Sequence, residues 1–259
     1  LKFENYSGQK IITKKLFIGS GAIQTPKIVM NSLEKKIDLE LKESQYFLVP
    51  CLYVGKNFNN DLQHHTLSQA QIVFKNSIKY NIGNVSYEIK YDQKLINITL
   101  KKKFGIFSTL IPNIIKKRIF VITAQINSKH SVYKATMKKE DQRLSVRENK
   151  KNKKKIELEI YSQLKVLGKK FKFISVNFFS KLGKFGRGYH LGCSIPMLGD
   201  KEINNLNQYD LYTRKNGEIS NCKNVFIIDS SNFTNIPSGS LSLTVMANAL
   251  RIATENAND

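Results

Sequence analysis

The 259-residue sequence predicts a mixed α+β (α/β) fold, and three observations carry that expectation. Residues 37–180 are mostly short β-branched or alternating runs separated by turn signals, the pattern of a mainly antiparallel sheet. Residues 225–253 read instead as a buried strand, a polar loop and an amphipathic helix, the building unit of an α/β domain. A hydrophobic content of 41% can bury a sizeable core. No run of about 18 apolar residues exists, so no transmembrane helix is expected.

In chain order, "SGQKIITKKLFIGSG" places a turn at Ser7-Gly8 and a β-rich run ending at Gly19. "TPKIVMNSLEK" starts a helix, with Thr25 as N-cap and Pro26 at the first helical position. Ile28, Val29 and Leu33 then share its buried side. Strands follow in "SQYFLVPCLYVG", "QAQIVFKN", "VSYEIKY", "LINITL", "RIFVITAQIN", "SVYKATM" and "KKFKFISVNFF". "TLIPNIIKK" is a weak helix interrupted by Pro112. The lysine-dense "RENKKNKKKIELEI" reads as a charged loop leading into a strand. The overlapping "IELEIYSQLKVLGKK" is helix or strand, with Leu158, Tyr161, Leu164 and Leu167 favouring helix. Past residue 183 come a glycine-rich loop, a turn at "TRKNGEIS", the strand "NVFIIDSS" and a loop with Pro237 and Gly239. A helix, "SLSLTVMANALRIATENA", closes the chain, with Leu243, Met246, Ala247, Leu250 and Ala253 as its apolar face.

The formal net charge is +22, nearly all of the excess lysine. Arginine performs most bidentate phosphate and base-edge contacts. A nucleic-acid binder would also cluster its lysines on one face with aromatics between them. Dispersed lysines read as solvated surface, so no specific nucleic-acid partner is expected. Cys51, Cys193 and Cys222 are odd in number and widely spaced, with no disulfide framework or zinc pattern. His64 and His65, adjacent on a strand, point to opposite faces and lack a third ligand, so no metal site is expected there. His130 falls in a turn. The opening "LKFENYSGQK" has no signal-peptide pattern. It reads as the start of a piece cut from something longer, with any export signal upstream of Leu1.

Three stretches could carry chemistry. "LFIGSGAIQT" ends a strand in Gly19-x-Gly21 before a helix, but Gln24 stands where a dinucleotide fingerprint needs its third glycine. "NVFIIDSS" puts Asp229 at a strand's carboxyl end, and "NIPSGS" leaves backbone N–H groups at a helix start, where negative charge is favoured. Asp229 and Ser240 equally suit plain turn and capping roles. "GKFGRGYHLGCSIPMLGD" sets His190 in a glycine-rich loop, where it is either a general base or a histidine bonded to backbone.

Taken together and in order, "GSGAIQTPKIVMNS", "GYHLGCSIPM" and "NVFIIDSSNFTNIPSGSLSLTVMANALRIA" resemble the glucose-methanol-choline oxidoreductases, flavin enzymes that oxidise alcohols. The resemblance implies an FAD cofactor and an alcohol or sugar substrate, with an electron acceptor it does not name. It implies that residues 1–36 end an FAD-binding domain, 37–182 form a substrate-binding sheet domain, and 183–259 return to the FAD domain. His190 aligns with the histidine that accepts the substrate hydroxyl proton while hydride passes to flavin N5. Asp229 and Ser230 fall where the family contacts the phosphate–ribityl region. Ser240 and Leu241 fall at the helix start facing the pyrimidine edge, and Gly21 and Ala22 where the backbone passes close to the cofactor.

Two departures qualify the resemblance. Ser240 stands where the family carries a second His or Asn, and a serine hydroxyl is shorter and a poor base. The glycine-rich βαβ that holds the ADP half of FAD is absent, so the expectation is a C-terminal portion that binds FAD poorly alone. The competing expectation is a non-catalytic relative that binds carbohydrate or polyanion without flavin.

Overall fold

The computed structural model describes all residues except 1, 5–7, 9, 34–37, 57–67, 69, 139, 141–142, 189, 204–210, 221 and 258–259. Ser7, His64, His65 and Tyr189 therefore lie outside the described residues. The strands are β1 (Lys2–Glu4), β2 (Lys10–Ile12), β3 (Leu16–Ile18), β4 (Leu39–Glu43), β5 (Tyr46–Tyr53), β6 (Ala70–Phe74), β7 (Val85–Lys90), β8 (Ile119–Ile126), β9 (Tyr133–Met137), β10 (Leu144–Glu148), β11 (Phe173–Ser175), β12 (Lys181–Leu182), β13 (Leu191–Gly192) and β14 (Val225–Ile227). The helices are α1 (Gln24–Ser32), α2 (Gln93–Phe104), α3 (Asn113–Lys116), α4 (Lys150–Phe171), α5 (Asp200–Ile203) and α6 (Ser242–Ala257). The fold is mixed α+β and its sheets are mostly antiparallel. The chain divides into two compact units: Leu1–Glu43 with Tyr133–Glu148 and Tyr189–Asp259, and Ser44–Val132 with Asn149–Gly188.

The second unit is built on an antiparallel sheet in the order β11-β5-β8-β7-β6, with β12 also on β5. Side chains on a strand alternate between faces, so one face of each strand can be wholly apolar. Strand β8 follows that rule: Phe120, Ile122, Ala124 and Ile126 are buried. The register sets them opposite buried partners, Cys51↔Phe120, Val49↔Ile122 and Phe47↔Ala124 on one side, Tyr87↔Ala124 and Val85↔Ile126 on the other. Ile156, Ile160, Leu164 and Leu167 of α4 join the same core. Their spacing of three and four residues makes one helical stripe. Pro50 has no N–H to give, and it stands between the short partners β11 and β12 on that edge of β5.

Two sequence expectations fail here. "LINITL" is part of α2, not a strand. Its β-branched residues carry only a weak preference, which a helix with buried Ile96 overrides. The lysine cluster is not a loop leading into a strand: it forms the first turns of α4, whose N-cap Asn149 accepts the N–H of Asn152 at 3.0 Å. Lysine is a good helix former, so a run of it does not oppose a helix. The "TLIPNIIKK" segment is a 3₁₀ turn, Gly105–Leu110, then α3 with Pro112 at its N-cap.

The first unit holds the antiparallel sheet β10-β9-β4-β13, the hairpin β1-β2 and the parallel pair β14-β3. Two helix readings need correction. In α1 the N-cap is Ile23, and Thr25 lies inside the first turn. Val29 and Met30 form its buried side, while Ile28 is exposed. In α6 the stripe Leu243, Met246 and Leu250 faces outward, and Ile252 and Asn256 are the buried residues. Polar anchors set that rotation: the Asn256 amide donates to the carbonyls of Asn216 and Ile252, and Lys15 Nζ donates to the Asn256 carbonyl at 2.6 Å.

The second unit also buries a polar chain. Glu159 and Gln163 are fully buried on α4. The Glu159 carboxylate accepts the backbone N–H groups of Ile78, Lys79 and Tyr80 at 2.5–2.7 Å. The Gln163 amide donates to it at 2.8 Å, and the Tyr87 hydroxyl donates to Gln163 at 2.7 Å. Successive backbone N–H groups form a concave anion nest, here filled by the chain's own carboxylate. Burial opposes ionisation of Glu159, but the N–H groups and the Gln163 amide outweigh it and hold its pKa below the ordinary 4.5. Glu159→Gln should therefore cost about 1.5–3 kcal/mol at neutral pH, the range for hydrogen bonds to a charged group. The wild-type advantage should be complete above pH 4.5 and fade as pH falls through the lower folded value. Urea midpoints of both proteins across acid pH check this; a gap unchanged in strong acid excludes the carboxylate as its source.

Candidate functional site

Strands β3 and β14 run parallel, with Leu16↔Val225, Phe17↔Phe226 and Ile18↔Ile227 in register. Their carboxyl ends therefore open at one place. In open α/β sheets that is where ligands bind. The turn after β3 brings Gly21 and Ala22 there, and the turn after β14 brings Asp229.

Asp229 is 6% exposed and holds the place together. Its Oδ2 accepts the Gly21 N–H at 2.8 Å and the Thr25 hydroxyl at 2.5 Å. Its Oδ1 accepts the Ser231 N–H at 2.8 Å. Thr25 Oγ1 also accepts the Ser20 N–H at 3.1 Å. Gly21 has φ +90°, a conformation that strains any residue with a Cβ, and open space lies where that Cβ would go. Ala22 sits half-buried in the same turn.

The His190 segment joins this place through the backbone. Ser230, buried, donates its hydroxyl to the Leu191 carbonyl at 2.7 Å. The N–H groups of Cys193, Ile195 and Met197 bond the carbonyls of Ser230, Ser231 and Asn232 at 2.8–2.9 Å. A Cβ on Gly192 would run into the Ser230 carbonyl, so a glycine there lets the two segments close. His190, half-buried, directly precedes this zipper.

Ser240 is exposed two residues before α6, and Leu241 is buried against Cys193 and Ile236. No acidic residue stands in the first turn of α6, so the chain leaves the positive end of that helix dipole without a counter-charge of its own there. The site residues named from sequence thus share one unit, and backbone bonds tie the segments bearing His190, Asp229 and Ser230 together. Ser240 enters through α6.

Sequence reasoning missed Thr25, which it treated as a cap, and a polar relay behind the site. Asn232 donates to the Ile227 carbonyl at 2.7 Å, Asn248 donates to Asn232 at 3.1 Å, and Arg251 donates to Asn248 at 3.0 Å. Asn248 and Arg251 stand three residues apart on α6, a spacing that puts them on one face. That was the available signal. A surface cavity of about 440 Å³ lined by Lys75, Lys79 and Tyr80 belongs to the other unit and contains none of these residues.

Thr25→Val and Asp229→Asn should each destabilise the protein, by about 1–2 and 2–3 kcal/mol. Because they share one hydrogen bond, the double variant should fall short of their sum by about 1 kcal/mol. A double-mutant cycle by urea unfolding reads that coupling, and strict additivity would show the bond to be energetically idle. No known protein-family model matches the chain, and none of the curated proteins searched matches it.

Proposed function

We propose that this unit is the cofactor-facing part of an FAD-dependent oxidoreductase acting on the CH–OH group of an alcohol or sugar. The observation that carries the reading is the parallel β3–β14 pair, which sets a positive-φ glycine and a buried carboxylate side by side although 208 positions separate them in the chain. Parallel pairing demands a crossover, and doubly wound domains use its carboxyl end for ligands.

The residues fit FAD on three counts. The space beyond Gly21 is open to a close-lying ligand. Among the described residues the buried Ser231 hydroxyl has no hydrogen-bond partner. The start of α6 offers a dipole end that favours negative charge by roughly 0.3–1 kcal/mol when exposed. Asp229 and Ser230 would hold the phosphate–ribityl region, Ser240 and Leu241 the pyrimidine edge, and Gly21 and Ala22 would pass alongside. When bound, FAD supplies a hydride acceptor at N5 for the carbinol carbon. His190 takes the substrate hydroxyl proton on its imidazole, a task suited to histidine near neutral pH. The Ser240 hydroxyl orients the substrate through a hydrogen bond but is a poor base, which leaves proton transfer to His190.

The test is the visible spectrum of the polypeptide expressed from its complete reading frame. Flavin bands that bleach on anaerobic addition of an alcohol or sugar are expected. His190→Ala should keep the bands and slow bleaching by about 10²–10⁴-fold, the usual worth of a general base. A folded, colourless protein that takes up no added FAD would overturn the reading and leave a carbohydrate- or polyanion-binding relative.

A further inference from the structure

Four large apolar side chains stand largely in solvent on one part of the second unit. Phe178 is 91% exposed, Ile106 81%, Leu110 74% and Phe107 69%. Ile106, Phe107 and Leu110 lie on the 3₁₀ turn that follows α2, whose inward residue is Ser108. Ring contacts connect the residue just before that turn to Phe178: Phe104, the last of α2, meets Phe179 edge-on at 5.7 Å, and Phe179 meets Phe178 at 5.2 Å. The Lys103 ammonium lies 3.9 Å above the Phe179 ring. Soluble surfaces scatter single apolar residues; a contiguous exposed group marks a binding surface.

The charge around it is one-sided. Residues 93–118 carry seven basic side chains and no acidic one. No Asp or Glu occurs between Asp92 and Glu140, or between Glu159 and Asp200. Lys101, Lys102 and Lys103 are all exposed at the end of α2, next to the apolar turn. Protruding apolar tips ringed by lysine match an anionic lipid surface, where the tips enter the acyl boundary and the ammonium groups meet headgroups. A second copy of the same face would bring like charges together. A nucleic-acid strand would need stacking rings where Ile106 and Leu110 stand.

We propose that the turn Gly105–Leu110, with Phe178 and the lysines of α2, docks this protein on an anionic membrane surface. The site is independent of the flavin reading. No helix among the described residues is long and apolar enough to cross a membrane.

The chain has no tryptophan, so Phe107→Trp makes a reporter seen against no background. With vesicles of phosphatidylcholine plus phosphatidylserine, the emission of this variant should shift to the blue and the protein should pellet with the vesicles. With phosphatidylcholine alone it should do neither, and added salt should weaken binding. Changing Lys101, Lys102 and Lys103 together to glutamine should lower partitioning about a hundredfold, each lysine being worth about a factor of five. Ile106→Ser with Leu110→Ser should also release the protein. Both sets are exposed, and unchanged thermal unfolding by circular dichroism shows that they still fold. The same change at Lys153, Lys154 and Lys155 of α4 should leave partitioning within about twofold of wild type, this cluster lying outside the docking turn. An equal loss from that control would mean diffuse charge and overturn the proposal. So would an unshifted emission of the Phe107→Trp variant on anionic vesicles, or a change of sedimentation coefficient in the Ile106/Leu110 variant, which would assign the face to self-association.

Discussion

Everything in the first unit's candidate site leans on one buried carboxylate. Asp229 joins the turn after β3, the first turn of α1 and the turn after β14 by three hydrogen bonds. A carboxylate out of water is costly unless its lone pairs are satisfied, so the three donors and the acid require each other. Remove the acid and the Gly21 N–H and the Thr25 hydroxyl lose their acceptor; remove the donors and the acid loses its reason to be inside. The same turn then passes its order to β13, because Ser230 bonds Leu191 and Cys193 from either side of Gly192.

The second unit solves a similar problem with different parts. Glu159 is delivered by a helix, and its donors are three backbone groups of one loop. Around it, cross-strand partners on β5, β8 and β7 bury the same face. Charge that faces solvent here is nearly all lysine, and it leaves the apolar turn after α2 standing in a field of one sign.

Where period decided the structure, the sequence was legible. Phe120, Ile122, Ala124 and Ile126 alternate strictly, and they form a strand with one buried face. Asp229 at a strand end was readable because a buried apolar triplet precedes it. What failed was decided by distant partners. Thr25 reads as a cap because a threonine before a proline usually is one; only Asp229, far along the chain, shows otherwise. The outward stripe of α6 is the best apolar face of that helix taken alone, yet Asn216 and Lys15 fix its rotation. In α2, β-branched residues outweighed helix signals locally, and burial of Ile96 reversed the outcome. The roles of His190 and Ser240 rested on motif likeness, and no period or propensity bears on them.

The pairing of β3 with β14 has a consequence for synthesis. Ile18 meets Ile227, and the ribosome adds the intervening chain at about 5–20 residues per second. For roughly 10–40 s the nascent β3 has no parallel partner, while β5, β7 and β8 already have one another. The second unit, made between those two strands, can thus settle first, and β3 and β14 are left to find each other late. Slow codons or a chaperone acting after residue 188 would change the yield of the first unit and spare the second.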